Sequence, residues 1–492
     1  MKPMIFGKAT PESQGIDSEL LLKALEAAEN GAPRGIEIHD FLLLRHGKLV
    51  FEGYFAPYSA ETKHTIFSQT KSFMSTAVGL AIYADGLLKL EDEVIRFFPE
   101  VDTAAISERA KKMRVCDLLS MASGHDEDTT DVVIEQGPQA YFELPLPYER
   151  GEHFLYNTGN SILLGMIVER VTGKSMYAYL KERVFDKIGI TIEDGDWDRV
   201  RGVCCGGFGL HVKAMDVLRL ANLYLLGGKW EGEQILPAEW VELVSKKKIS
   251  NGDPKTSTCP SWNSGYSYQF WMCDYADAYR IDGAGGQQAA IVPSEDMVIL
   301  FNSSLHGVIS DYAQVLARYY VMPAVHEKAL PENPAALTAL EEKAWQIENP
   351  APKAFAYPPE EALGRFTAKR GPLREVLLEQ GEGETRVTFC MDESKPVDGR
   401  VGLDADFCPE GEEMMTFRIG LDGRPRVTEG EKSFAARGYW DGARLHARAT
   451  EFPSIGSIWF DLEIGYETLT VLVRTEWVSN RLTAEPIHLK RG

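Results

Sequence analysis

Ser68-Gln69-Thr70-Lys71 sets a hydroxyl and an amine three residues apart. Positions i and i+3 share one face of a helix, so on a helix Lys71 reaches the Ser68 oxygen. A serine beside a lysine is one route to an activated nucleophile, the Ser-Lys variant of acyl-transfer chemistry.

The flanking residues decide whether this pair is a site or a coincidence. Thr65-Ile66-Phe67 before it is extended and β-branched in character. After it, Phe73, Ala77, Leu80 and Ala81 form one apolar stripe that runs to Gly86. Ser68 is therefore expected at a helix N-terminus, where backbone N–H groups are unpaired and the dipole favours negative charge. The same spacing recurs at Ser245-Lys246-Lys247-Lys248. That match lies in a lysine run, which reads as a solvated surface.

The remaining composition bounds the class. At 492 residues the chain is long enough for two or three domains. It carries 73 acidic and 52 Lys or Arg residues, a formal net charge of -21. Such a surface repels a phosphate backbone, so no nucleic-acid partner is expected. No apolar run is long enough to span a bilayer, and the first eight residues lack the apolar core of a signal peptide. Seven scattered cysteines, without C-x-x-C spacing, read as reduced thiols. The expectation is a cytoplasmic protein without a membrane partner.

Along the chain, Asp17 or Ser18 caps a helix through Leu25 to Asn30. A hairpin follows, Phe41-Leu42-Leu43-Leu44 and Leu49-Val50-Phe51 around His46-Gly47. Helical patterns then cover Val115 to Leu119, Leu163 to Val168, Met215 to Leu226 and Pro237 to Lys246. Strands are expected at 266–272, 288–292 and 297–302, with a helix from Asp311 to Tyr320. Strands, a helical insertion, then strands again predict an α+β layout in which the first and last segments share one antiparallel sheet. Residues 322–359 are rich in Pro and Ala, with a short helix near Leu337 to Trp345, and read as a linker. Beyond Gly364, short alternating runs separated by Gly and Asp predict an all-β domain, a sandwich or barrel.

Two further segments bear on Ser68. Phe154-Leu155-Tyr156-Asn157-Thr158-Gly159 precedes a helix. A tyrosine beside a Ser-Lys pair can relay the serine proton, and a neighbouring ammonium would help its phenol ionise. Ile281-Asp282-Gly283-Ala284-Gly285-Gly286-Gln287 puts clustered glycines before a strand, a pattern of close backbone approach to a ligand. Alone, the first reads as packing and the second as a turn.

In this order the three segments resemble the serine β-lactamase and penicillin-binding-protein superfamily, its class C-like and esterase branch, with S-x-x-K, Y-x-N and K/H-T-G motifs. Cys116–His125, Gly206–His211 and Val292–Val298 also match the family's style, and the resemblance spans roughly residues 8–325. It implies a β-lactamase-like domain over residues 1–325, an antiparallel sheet flanked by helices with a helical subdomain. A linker at 326–358 and a lipocalin-like β domain at 359–492 complete the organisation. It also implies Ser68 as nucleophile, Lys71 as its base, Tyr156 as general acid/base, and the amides of Ser68 and Ala284 as the oxyanion hole. For Lys71 to be a free base its pKa must fall from about 10.4 towards 7–8, at a cost of about 4 kcal/mol, so a buried site is implied.

Two positions depart from the motifs. Thr158 stands where the family has Asn, with Asn157 before it. Ile281 replaces the Lys or His that holds a substrate carboxylate, and Asp282 would repel one. With Gly283, these residues form the expected substrate-binding set. The implied activity is a serine hydrolase acting through an acyl-enzyme on an ester or amide of a small molecule. A true β-lactamase or D-amino-acid peptidase is the alternative within enzymes, and a catalytically silent ligand-binding protein the alternative outside them. No metal or organic cofactor is expected, and nothing in the residues sets an oligomeric state. His125-Asp126-Glu127-Asp128, with Asp131 and Glu135, reads as a solvated loop or as a feature favouring cations. Tyr266, Tyr268 and Trp271 are either an acyl-pocket wall or core.

Overall fold

The structure is a computed structural model that describes residues 6–31, 36–252, 260–305, 311–368, 373–391, 414–429, 433–452, 457–465, 467–477, 480–483 and 486–492. The opening residues 1–5, and Cys259 and Cys408, lie outside these. The described cysteines form no disulfide.

The chain is α+β, and its first sheet is built from both ends of the region 7–304. Strand order is Gly7–Lys8, Lys48–Tyr54, Glu37–Arg45, Met297–Ser304, Gln287–Val292, Tyr279–Gly283, Trp271–Met272. Every neighbouring pair is antiparallel except the first, where Gly7 and Lys8 run parallel to Lys48 and Leu49. The sheet is therefore mixed rather than purely antiparallel.

Both faces of the sheet are covered, which explains the unbroken Phe41-Leu42-Leu43-Leu44 run. Phe41 and Leu43 face a layer formed by Ser18–Asn30, Tyr312–Leu316 and Pro334–Glu348. Leu42 and Leu44 face the helical insertion. Asp17 caps the first helix, its Oδ1 accepting from Glu19 N at 2.8 Å and Leu20 N at 3.2 Å.

Thr70–Gly79 is buried on every side, not only along its apolar stripe. Its polar residues are bonded: Ser72 Oγ donates to Gln269 O at 2.9 Å and Ser75 Oγ to Tyr268 O at 2.8 Å. These bonds take backbone carbonyls of the segment expected as a strand at 266–272. With Gln269 at φ 69°, only Trp271–Met272 pairs as strand.

The helix near Leu337 runs Pro334–Glu348 and packs against Ser18–Asn30, with Leu340 and Ile347 buried. Beyond it the C-terminal strands form a closed barrel. Gly420 pairs with Arg437 to join its two ends. Phe389, Phe417, Phe460, Leu462 and Val471 fill its interior. The barrel docks on the sheet end at Glu37, which meets Arg437 at 3.0 Å, Arg448 at 3.1 Å and Thr450 at 2.8 Å.

Candidate active site

Ser68 lies on a single 3₁₀ turn, Phe67–Gln69, directly before the buried Thr70–Gly79 helix. Phe67 has φ 47°, a left-handed conformation that is rare for a bulky residue and tends to mark functional turns. The short strand His64–Thr65 leads into it and pairs with His211–Val212. Ser68 is half-buried, so its hydroxyl meets the cleft while its neighbours are fixed by packing.

Lys71 is 1% exposed. Its Nζ lies 3.0 Å from Ser68 Oγ, 3.1 Å from Thr158 Oγ1 and 2.8 Å from Gly207 O. Burial lowers its pKa to about 7, against weaker opposing effects of Cys205 and Asp128. A neutral amine has two N–H groups and one lone pair. Gly207 O and Thr158 Oγ1 accept the two protons, and the lone pair is left for the Ser68 O–H.

Tyr156 stands beside the pair, its ring centroid 5.0 Å from Lys71 Nζ. Burial raises its pKa above that of a free phenol, and the neighbouring Ser68 hydroxyl only partly offsets this. The expected ionisation by a lysine cation is thus reversed: the lysine is the group tuned towards neutrality, and the tyrosine keeps its proton. Its ring stacks on Trp271 at 5.3 Å, and Trp271 also meets Phe154, Trp262 and Tyr266. Trp271 and Tyr266 belong to the wall around Tyr156. Tyr268 instead stacks on buried Trp240 at 5.7 Å.

The third segment forms the opposite wall. Tyr279–Gly283 is itself a strand, lying against the Ser68 turn. A Cβ at position 283 would stand 2.3 Å from Ile66 O, so only glycine permits this approach. Gln287 pins the turn after it, Nε2 donating to Ala284 O at 3.1 Å and Ser303 O at 2.6 Å. Ser303 Oγ also lies 3.0 Å from Gly285 O. Gly283 is thereby brought against the Ser68 turn.

Other expected binding residues sit elsewhere. Ile281 is fully buried in the core between sheet and helices. Asn157 is buried and turned towards Thr129, its Oδ1 accepting from Thr129 N at 3.1 Å and Oγ1 at 2.9 Å. Thr158, one residue later, is the one that meets Lys71. Asp282 does not face a substrate as a bare charge. Arg280 Nε donates to its Oδ2 at 2.7 Å, and Arg280 is itself buried. Ser245 merely ends the helix Ala238–Val244, far from this arrangement in sequence and in role.

Three contributors escaped the sequence reading. Gly207 acts through its carbonyl, and the adjacent Gly206-Gly207 pair was the only trace of it. Arg280 has no motif. Asp128 belongs to the acidic loop, yet its Oδ2 accepts from Thr158 N at 3.1 Å. Among the described residues no group of three or more His, Cys, Asp or Glu converges as a metal site, and no helix is long and apolar enough to cross a membrane.

A mixed sheet with a helical insertion, and a serine and a buried lysine at a helix start, define a class of serine hydrolases. The chain belongs to the β-lactamase family, whose model matches residues 40–317. It is 27% identical over 293 residues to the 6-aminohexanoate-dimer hydrolase of Paenarthrobacter ureafaciens, covering 54% of this chain and 72% of that one. Two solved structures share the fold. A Bacillus anthracis protein provisionally named a 6-aminohexanoate-dimer hydrolase aligns at TM-score 0.51 and 20% identity, over 67% of this chain and 90% of its own. EstCE1, described as a hydrolase with promiscuous acyltransferase activity, aligns at TM-score 0.51 and 17% identity, over 62% and 99%. The chain is a serine hydrolase of this family.

Proposed function

We propose that the protein cleaves an ester or amide of a small molecule through an acyl-enzyme on Ser68. The observation that carries this reading is the Lys71 environment: buried, lowered to about 7, and 3.0 Å from Ser68 Oγ. Neutral Lys71 takes the Ser68 proton as Oγ attacks the carbonyl. The backbone N–H groups of Ser68 and Ala284 stabilise the resulting oxyanion, each such donor contributing about 3–4 kcal/mol. Tyr156 donates its phenolic proton to the leaving group and is reprotonated from Lys71. Water then releases the acid by the reverse relay.

Ester or amide chemistry is favoured over penicillin handling because position 281 holds a buried isoleucine, and the neighbouring Asp282 is paired with Arg280. Similarity to a protein named a 6-aminohexanoate-dimer hydrolase supports the same direction. A short-chain nitrophenyl ester and nitrocefin, assayed side by side, test the reading. Turnover of the ester that disappears in Ser68→Ala is the expected result. Efficient nitrocefin turnover with no ester cleavage would reverse the assignment.

A further inference from the structure

The helix Thr158–Thr172 is not capped by the residue before it. Asn157 turns its side chain to Thr129 instead, accepting from Thr129 N and Oγ1. The N–H of Thr158, one of the unpaired donors at a helix start, is taken from outside by Asp128 Oδ2 at 3.1 Å. Asp128 Oδ1 accepts from Thr130 N at 2.7 Å and from Thr130 Oγ1, so both carboxylate oxygens are held. The acidic loop and the helix start are thus latched twice, Asp128 onto Thr158 and Asn157 onto Thr129. No side chain fits between them, because a Cβ at Gly159 would run into Thr129. What the latch holds is Thr158, whose hydroxyl lies 3.1 Å from Lys71 Nζ.

Asp128 also bears on Lys71 by its charge. Among the described residues, the ionisable groups that face the amine are Cys205, Tyr156 and Asp128. Burial raises the pKa of the Cys205 thiol and of the Tyr156 phenol, so both keep their protons where Lys71 titrates. Asp128, exposed to water, is the carboxylate of the three. We propose that Asp128 is a positioning residue for the Ser-Lys pair: its carboxylate fixes the Thr158 backbone so that the Thr158 hydroxyl stays on Lys71, and its negative charge acts on the same amine. The two effects oppose each other, since the bond orders the base while the charge favours its protonated form. The proposal rests on the reading of Lys71 as the base of a serine hydrolase.

Asp128→Asn keeps an oxygen for Thr158 N and removes the charge, whereas Asp128→Ala removes both. Lysine labelled with carbon-13 at Cε reports the Lys71 titration by NMR without any substrate, its signal assigned by loss in Lys71→Met. The wild-type midpoint is expected at about 7, and both variants should titrate at least about 0.3 pH lower. On a nitrophenyl ester, Asp128→Asn should keep the kcat plateau within about threefold, and Asp128→Ala should lower it about tenfold or more with little change in KM. In a Thr158→Val background, which lacks the hydroxyl to be positioned, the loss from Asp128→Ala should shrink to under about threefold. A merely structural latch would lower the thermal midpoint and leave the titration and the plateau of the folded protein as they were. The proposal is overturned if folded Asp128→Ala keeps the wild-type plateau, if neither variant moves the Lys71 titration, or if the loss in the Thr158→Val background is undiminished. Should Asp128→Ala fail to fold, the Lys71 titration of Asp128→Asn decides alone. A wild-type protein that turns over no ester and takes no fluorophosphonate on Ser68 would sink the hydrolase reading instead, with the Lys71 titration still judging Asp128.

Discussion

In the proposed reaction Lys71 and Tyr156 divide the proton work by environment. Both are drawn out of water, but burial acts on them in opposite senses, lowering the amine and raising the phenol. In the proposed reaction the lysine serves as the base near neutral pH and the tyrosine as the proton donor. Two consequences follow for kinetics. Acylation should rise with pH through about 7 as Lys71 loses its proton, a profile read from kcat/KM of a nitrophenyl ester. A rate independent of pH from 5 to 9 (roughly two units either side) would argue against the lysine base. Tyr156→Phe keeps the ring stacked on Trp271 and removes only the hydroxyl. It should lower kcat by about 10²–10⁴-fold, with little change in thermal midpoint. The same shift has a stability sign. Between about 7 and the ordinary lysine value, the unfolded chain binds a proton that the folded chain does not. The contribution of Lys71 to stability therefore rises with pH across that window and is at its least favourable below it.

At the scale of elements, the site depends on how closely a strand approaches a turn. Gly283 allows Tyr279–Gly283 to lie against Ile66 O, and Gln287 with Ser303 holds the following turn in place. Gly283→Ala must push the strand and the Ser68 turn apart. Activity should fall by at least about tenfold while the protein stays folded, as measured by kcat/KM beside the unfolding midpoint. A fully active Gly283→Ala protein would mean that this approach does not matter. Much of this geometry was legible in the sequence. The Ser68–Lys71 spacing, the strand at Thr65 and the glycine cluster follow from local periodicity and turn chemistry, whereas Ile66 and Phe67, expected to be extended, turn instead, Phe67 with φ 47°. What was not legible came from tertiary contacts. The segment at 266–272 has strand composition, but its carbonyls are taken by Ser72 and Ser75 of the buried helix. Ile281 occupies the expected recognition position in the motif yet faces the core, because strand alternation turns it inward. Gly207 contributes only a backbone carbonyl, which no side-chain pattern records.

For the whole molecule, one half-buried carboxylate ties the barrel to the sheet. Glu37 meets two arginines and a threonine of the barrel, and Tyr58 packs on Phe452 at 5.1 Å. Removing one partner of a partly buried ion pair loosens the hold on the others. Glu37→Ala should cost about 3 kcal/mol, seen in denaturant unfolding as earlier release of the barrel. An unchanged unfolding curve would show that the barrel is held by other contacts. An all-β domain is legible in its short alternating runs, which leave sandwich and barrel open, whereas its docking point is not, since Glu37 and Arg448 are remote in sequence. The proposed reaction rests on Ser68 as the nucleophile. The most direct test is intact-protein and peptide mass spectrometry after treatment with a fluorophosphonate probe. One adduct, mapped to Ser68, lost in Ser68→Ala and strongly slowed in Lys71→Ala, is the predicted result. An unmodified Ser68 in folded protein, or equal labelling of Ser68→Ala, would contradict it.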